Sequence, residues 1–244
     1  MIRKFVTSLA NRISNIWFIH KLLLYVRLKK IEHLNICYSQ EGEDVVLARF
    51  FAEKKDGFFV DIGAHHPFRF SNTYKFYQKG WRGINVDAMP GSMRGFKRYR
   101  PEDINLEYLV SNDHETVTYF SFNEPALNTI SAEEAEKKSK IPGYFIKEKI
   151  QLPSMPLTEI LQNNLPSATH PIDFLSIDVE GNDMAVLLSN DWSRFRPEFV
   201  LVEELNKNFG MIVESSEVYK FLKQQNYELV ARTYNTSFYQ KSIN

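Results

Sequence analysis

One cysteine, Cys37, stands in 244 residues, so no intramolecular disulfide framework can form, and a reducing, cytoplasmic setting is expected. Net charge is also absent, because 30 basic residues balance 30 acidic ones. No stretch of about 20 predominantly apolar residues occurs, so no membrane-spanning helix is expected. Near the N-terminus, Asn11, Arg12, Asn15, His20 and Lys21 interrupt the apolar residues, which also argues against a signal peptide. Glycine is sparse, with ten in the chain. The dinucleotide fingerprint needs three glycines to seat a pyrophosphate on a helix N-terminus. Here only Gly63 follows the first expected strand, with His65, His66 and Pro67 close behind. A ligand without phosphates is therefore favoured over NAD.

The charge is unevenly spread. Residues 1–36 hold seven Lys/Arg and one acid, so the rest of the chain is net acidic by six. An acidic body does not suit a nucleic-acid partner, which asks for a basic groove. Within residues 1–36, Ile2, Phe5, Leu9, Ile13, Ile16, His20 and Leu23 recur at helical spacing among the basic residues. Residues 1–30 then suit either an amphipathic helix on the anionic inner face of a membrane or a helix docked on this domain or on a second subunit.

From residue 40 onward helix and strand signals alternate, which is the signature of a parallel sheet with crossover helices. Strands are expected at Gly57–Gly63, Arg82–Ala88, Ile104–Ser111, Ile172–Asp178 and Glu198–Glu204. Helices are expected at Ser71–Gln78, Pro90–Arg98, Leu157–Gln162, Asn182–Leu188 and Ser215–Gln225. Glu115–Phe122 alternates as an antiparallel edge strand would, and a hairpin closes the chain across Tyr234-Asn235. Residues 124–150 break the pattern and read as an insertion or lid, in which the charged run Glu133–Lys140 reads as a solvated helix. The whole is an α/β domain over 37–244 with a seven-stranded, mostly parallel sheet and a C-terminal antiparallel hairpin, the Rossmann-like layout of class I methyltransferases.

In such a sheet, ligands bind beyond the carboxyl ends of the strands, where strand order reverses. Asp87 ends the second strand 26 residues after Asp61, near the separation at which a carboxylate grips ribose hydroxyls in this architecture. Ser111 and Asn112 end the third strand and could reach an adenine edge. Short polar residues at three successive strand ends point to a nucleoside.

Ser39-Gln40-Glu41-Gly42-Glu43-Asp44, the run from Phe58 to Met93, the segment Glu124–Ser131 and Ser176–Gly181 together resemble the FkbM family of methyltransferases. The resemblance spans about residues 38–205 and implies a class I fold, S-adenosylmethionine as cofactor and, for many members, glycan or glycosylated acceptors. Carried over by position, it implies that Asp61 and Gly63 line the methionine part and that Asp87 holds the ribose, with Ala88 as a further cofactor contact. It further implies Ser111 and Asn112 near the adenine and Gln40 as another cofactor contact.

Methylating a hydroxyl requires alignment and removal of a proton from an alcohol of high pKa, by a general base or a divalent metal. Asp178 and Glu180, two apart beyond the fourth core strand, are the leading candidates, with His65 as a third. His66 is an alternative to His65, one expected to face the site and the other to pack. Asp178 and Glu203, from neighbouring strand ends, could hold Mg²⁺ or Mn²⁺, an arrangement comparable to that of catechol-type O-methyltransferases. The expected activity is O-methylation of a sugar hydroxyl in a glycan, lipid-linked saccharide or nucleotide sugar. A small natural product as acceptor, or a nucleoside-binding scaffold without catalysis, are the alternatives.

Overall fold

The computed structural model describes residues 19–21, 23, 35–167, 170–205 and 208–242. The chain divides after Ile36 into two units. Residues 19–21 and 23 are helical; the other expectations for residues 1–30 lie outside the described residues. Among the described residues, no helix is long and apolar enough to cross a membrane.

In the second unit the order is α1 (Glu43–Phe50), β1 (Phe58–Ile62), α2 (Tyr74–Gln78), β2 (Arg82–Asp87), α3 (Met93–Tyr99) and β3 (Ile104–Glu107). It continues through β4 (Leu109–Val110), β5 (Thr116–Phe122), α4 (Ala132–Ser139), β6 (Ile146–Met155), α5 (Leu157–Asn164), β7 (Phe174–Ile177) and α6 (Asp183–Leu188). Then come β8 (Phe199–Glu203), α7 (Phe209–Ser215), α8 (Glu217–Gln224), β9 (Tyr227–Arg232) and β10 (Thr236–Lys241). The main sheet has seven strands in the order β3-β2-β1-β7-β8-β10-β9. Its pairs are parallel except those of β10, which runs antiparallel to β8 and β9. This is the Rossmann-like α/β arrangement expected from the alternation, and chain order reverses between β1 and β7.

The central strands are apolar on both faces, as sheets covered by helices on each side must be. Successive side chains point to opposite faces, and the core divides accordingly. Val60, Ile62, Ile84, Val86, Leu175, Ile177, Val200 and Val202 pack on one face. Phe59, Phe174, Phe199, Leu201 and Phe238 pack on the other with Phe51, Phe76 and Trp81. Each such side chain contributes roughly 1.5–3 kcal/mol on burial.

The same period of two sets a polar row beside the aromatic face. Asn105, Asn85, Asp61 and Ser176 are register partners across β3, β2, β1 and β7. Asp61 accepts a hydrogen bond from Thr73 Oγ1 at 3.1 Å, and Asn72 Nδ2 donates to Ser176 Oγ at 3.1 Å. The buried Arg100 donates to Thr73 Oγ1 at 2.9 Å and to Asp103 Oδ2 at 2.8 Å. Burial raises the Asp61 carboxyl to about 6 against the opposing charge of Arg100.

Two expectations are corrected beyond β3. The third strand does not run through to Ser111: it breaks at Tyr108, and β4 leaves for a second sheet of order β4-β6-β5. Glu115–Phe122 therefore pairs with β6 and is not an edge of the main sheet. Strand β6 begins inside the supposed insertion and was not legible, because Lys147, Glu148, Lys149 and Pro153 hide its alternation. Helix α7 was likewise unexpected. Helix α4 forms despite a nearly all-polar sequence because Ser131 caps Glu134 N–H at 3.2 Å, with Glu133 and Glu134 in its first turn and Lys137 and Lys138 in its last.

Candidate active site

A cavity opens at the carboxyl ends of β1, β2 and β7, where strand order reverses. Counting its open mouth, it holds about 660 Å³ of free space. Ile62, Gly63, Val86, Asp87, Ala88 and Asp178 form its floor. Tyr108, Leu109, Val110, Tyr119 and the segment from Pro125 to Ile130 close its side, so the second sheet and the start of the insertion complete the cavity wall.

Gly63 is required here by geometry. Its φ is +85°, and a Cβ at this position would lie 1.8 Å from the Asp178 carbonyl oxygen. The backbone turns tightly because Gly63 N–H and Ala64 N–H both donate to Val86 O, at 2.9 and 3.0 Å.

Asp87 is held by the chain on both oxygens. Oδ1 accepts from Met89 N–H at 2.8 Å and Oδ2 from His65 N–H at 3.0 Å. A carboxylate has about four acceptor positions, so two backbone bonds leave capacity for a pair of ligand hydroxyls. Burial raises the Asp87 carboxyl above its ordinary range, and these two N–H groups offset part of that rise.

His65 reaches Asp87 only by taking φ +53°, uncommon for a residue with a side chain. Its ring lines the cavity, and Nε2 is buried without a hydrogen-bond partner. Burial lowers its pKa, Arg69 lowers it further and Glu124 opposes them, which favours a neutral imidazole. His66 is the packing histidine: its Nδ1 accepts from Arg69 N–H at 3.1 Å and Phe68 N–H at 3.3 Å.

The acidic residues converge. One carboxylate oxygen from each of Asp178, Glu180 and Glu203 lies within 4.8 Å of the others. Asp178 and Glu180 line the cavity, while Glu203 stands behind them at the end of β8. Asp178 Oδ1 is sealed from solvent and accepts no hydrogen bond. Burial first, then the charges of Glu203, Glu180, Asp183 and Asp61, hold its carboxyl well above the usual range. Glu203 is pushed up to about 8 by burial and by Glu180 and Asp183, with Lys138 opposing. Asp183 shapes the loop between them, accepting from Val179 N–H at 3.1 Å and Gly181 N–H at 3.3 Å.

Residue Lys138 was missed. The charged run Glu133–Lys140 reads as a solvated helix, yet Lys138 is buried and its Nζ contacts Glu180 Oε2 at 2.7 Å. Its signal was positional: Ala135 and Lys138, three apart, form the buried face of α4. Thr129, also missed, donates from Oγ1 to Glu180 O at 2.7 Å.

Four expected cofactor contacts do not line the cavity. Asp61 points to the opposite face of β1, into the polar row beneath α2. Ser111 and Asn112 follow β4 out of the main sheet, and the cavity takes Tyr108, Leu109 and Val110 in their place. Gln40 is exposed, and its motif serves docking. Ser39 Oγ donates to Asp44 Oδ1 at 2.9 Å, and Glu41 accepts from Asn235 N–H at 2.7 Å and Nδ2 at 2.8 Å. The motif thereby ties the start of the domain to the turn of the C-terminal hairpin.

A family model described as the methyltransferase FkbM domain matches residues 61–229, more than half of the chain. No curated protein matches. Among solved structures, "a putative RNA methyltransferase" from Pyrococcus horikoshii is 11% identical with a TM-score of 0.44, covering 92% of this chain and 98% of that one. "A putative caffeoyl-CoA O-methyltransferase" from Staphylococcus aureus is 9% identical with a TM-score of 0.42, covering 94% and 98%.

Proposed function

Because the chain belongs to the FkbM methyltransferase family, we propose that it transfers a methyl group from S-adenosylmethionine to a sugar hydroxyl. The observation that carries the cofactor reading is Asp87, a cavity-lining carboxylate anchored on both oxygens by backbone N–H groups and still able to accept. The apolar side chains of Ile62, Val86, Leu109 and Val110 suit an adenosine beside it. Three cavity features fit such a ligand: the close passage of Gly63, the unpartnered His65 Nε2 and the unpartnered Asp178 Oδ1.

When bound, S-adenosylmethionine supplies an electrophilic methyl carbon on a sulfonium centre, which an acceptor oxygen displaces in line to leave S-adenosylhomocysteine. Asp87 orients the nucleoside. The Asp178–Glu180–Glu203 cluster receives the proton that the acceptor hydroxyl gives up as its oxygen–carbon bond forms. A carboxylate raised toward working pH is a stronger base than an ordinary one. Asp178 lines the cavity and takes the proton, and Glu203 sets its basicity from behind. His65, kept neutral, accepts a hydrogen bond from the acceptor or from the methionine part of the cofactor.

The sugar acceptor rests on the family resemblance. It is supported by Phe68 and Phe70 beside the two histidines, whose exposed rings offer flat apolar faces for a pyranose. The acceptor we favour is a glycan, lipid-linked saccharide or nucleotide sugar. The basic segment 1–30 would bring a cytoplasmic enzyme to the inner membrane face or to a second subunit. Liposome sedimentation and molar-mass measurement of a chain lacking it separate the two.

Calorimetric titration with S-adenosylhomocysteine tests the cofactor, with micromolar binding expected. Radiolabel transfer to pools of glycans and lipid-linked saccharides tests the acceptor. No binding of S-adenosylhomocysteine would sink the reading, and binding without transfer to any hydroxyl acceptor would leave a nucleoside-binding scaffold.

A further inference from the structure

We infer that Arg100 is a positioning residue, which holds the loop 65–73 and so fixes where the His65 ring stands in the cavity, without touching the cavity itself. The hold rests on geometry; its bearing on turnover rests on the methyl-transfer reading.

The loop is strained at two points. His65 has φ +53° and Phe70 φ +56°, and a left-handed backbone is unfavourable for any residue with a side chain. Such residues persist only where the surrounding structure over-determines them. One hold is the bond from His65 N–H to Asp87 Oδ2 at 3.0 Å. A second comes from Arg100. Its Nη1 donates to Pro67 O at 3.3 Å, between the two strained residues. The same nitrogen donates to Ser71 Oγ at 3.4 Å and Thr73 Oγ1 at 2.9 Å, just after them.

The anchor of Arg100 lies in the sheet. Arg100 and Asp103 have fully buried side chains. Nε donates to Asp103 Oδ2 at 2.8 Å, and Nη2 lies 2.8 Å from the same oxygen. Asp103 is fixed in turn by β2, accepting from Gly83 N–H on Oδ1 and from Asn85 Nδ2 on Oδ2, each at 3.1 Å. A buried ion pair is a weak stabiliser, since apolar residues of similar volume often serve as well. An apolar pair could not grip a carbonyl and two hydroxyls. The planar guanidinium carries five donors in a fixed fork, with the Asp103 carboxylate on one side and the loop on the other. The Phe59 and Phe96 rings, each centred 5.3 Å from its Cζ, pack against it.

Both ends of the loop bear on the site. At the near end the His65 ring lines the cavity and lies 20° from parallel to the Phe70 ring, with centroids 6.3 Å apart. At the far end Thr73 Oγ1 passes the contact on to Asp61 Oδ2 at 3.1 Å, and Asn72 Nδ2 reaches Ser176 Oγ on β7 at 3.1 Å. Asp61, which faces away from the cavity, thereby gains a part in supporting it.

Hydrogen exchange of the ligand-free full chain, followed residue by residue by NMR, tests the assignment with Arg100→Lys and Thr73→Val. Lysine keeps the charge but not the fork. Valine removes the hydroxyl nearest Nη1 and leaves the pair of Arg100 with Asp103 in place. The His65 amide is read against that of Val60 in β1. Local loosening should raise the His65 rate relative to Val60 by about tenfold or more in Arg100→Lys, and by less in Thr73→Val. A merely structural role would speed both amides together. An unchanged ratio in Thr73→Val and in a folded Arg100→Lys overturns the inference; should Arg100→Lys not fold, Thr73→Val decides alone. S-adenosylhomocysteine affinity should fall by about five- to tenfold in Arg100→Lys, the order of one hydrogen bond, because Asp87 loses the orientation that His65 N–H gives it. A raised ratio in a chain that does not bind S-adenosylhomocysteine keeps the positioning role and removes the methyl-transfer reading. An unchanged ratio in a chain that does bind it has the opposite meaning.

Discussion

The backbone N–H of His65 donates to Asp87 Oδ2 at 3.0 Å, joining the turn after β1 to the end of β2. One residue thereby does two things: its backbone sets the orientation of the carboxylate, and its ring lines the cavity. The left-handed backbone of His65 and the tight turn at Gly63 are the local conditions for this bond.

Removing the carboxylate should therefore act on the cofactor. Asp87→Ala is expected to weaken S-adenosylhomocysteine binding by about 30-fold or more, the order of one to two charge-assisted hydrogen bonds. Calorimetry measures this, and an unchanged affinity would remove Asp87 from the ribose.

Asp178→Asn should separate chemistry from binding. Turnover is expected to fall by about a hundredfold or more, the usual range for a lost general base, with affinity for S-adenosylhomocysteine within a few-fold of wild type. Steady-state kinetics with calorimetry on the same protein decides it, and normal turnover would exclude Asp178 as the base.

The acidic cluster sets a pH dependence of stability in the cation-free chain. Glu203 is raised to about 8 by burial and by Glu180 and Asp183, with Lys138 opposing and Glu41 adding to the rise. A raised carboxyl means the folded chain binds the proton more tightly than the unfolded one, so stability falls as pH rises from about 4.5 to about 8. Glu203→Gln should then stabilise the EDTA-treated protein at pH 8.5 by on the order of 2 kcal/mol and change little at pH 4. Thermal melts across this range check the sign; equal melts at pH 8.5 would contradict the assignment.

Gly63→Ala should destabilise the domain by about 2–4 kcal/mol. The added carbon meets the Asp178 carbonyl and the backbone is left-handed. Urea unfolding measures the loss, and a variant of wild-type stability would show that β1 and β7 separate more readily than their packing indicates.

The Ser39–Asp44 motif should behave as a clasp. Ser39→Ala is expected to cost about 1–2 kcal/mol of stability, because Ser39 Oγ also accepts from Gly42 and Asp44 N–H at 3.2 Å each. Gln40→Ala should leave S-adenosylhomocysteine affinity within about twofold, since exposed surface positions outside the site tolerate change. A large loss for Gln40→Ala in calorimetry would restore it as a cofactor contact.

Much of this protein was determined by sequence alone. The alternation of strands with helices, the terminal hairpin, Gly63 at the first turn and Asp87 at the second strand end were all legible. They depend on periodicity and local conformation, which neighbouring residues encode. Asp178, Glu180 and Glu203 were legible as strand-end acids, but their approach to within 4.8 Å was decided by the pairing of β7 with β8. The facing of Asp61 was in principle readable, since a period of two places it opposite Ile62, yet the motif resemblance pointed the other way. Lys138, the departure of β4 and the pairing of β5 with β6 were decided only by tertiary structure. A lysine is solvated or buried according to what its helix packs against, and a two-residue strand joins whichever sheet offers its backbone partners. Those choices bring together residues far apart in the chain, and one-dimensional patterning carries no record of them.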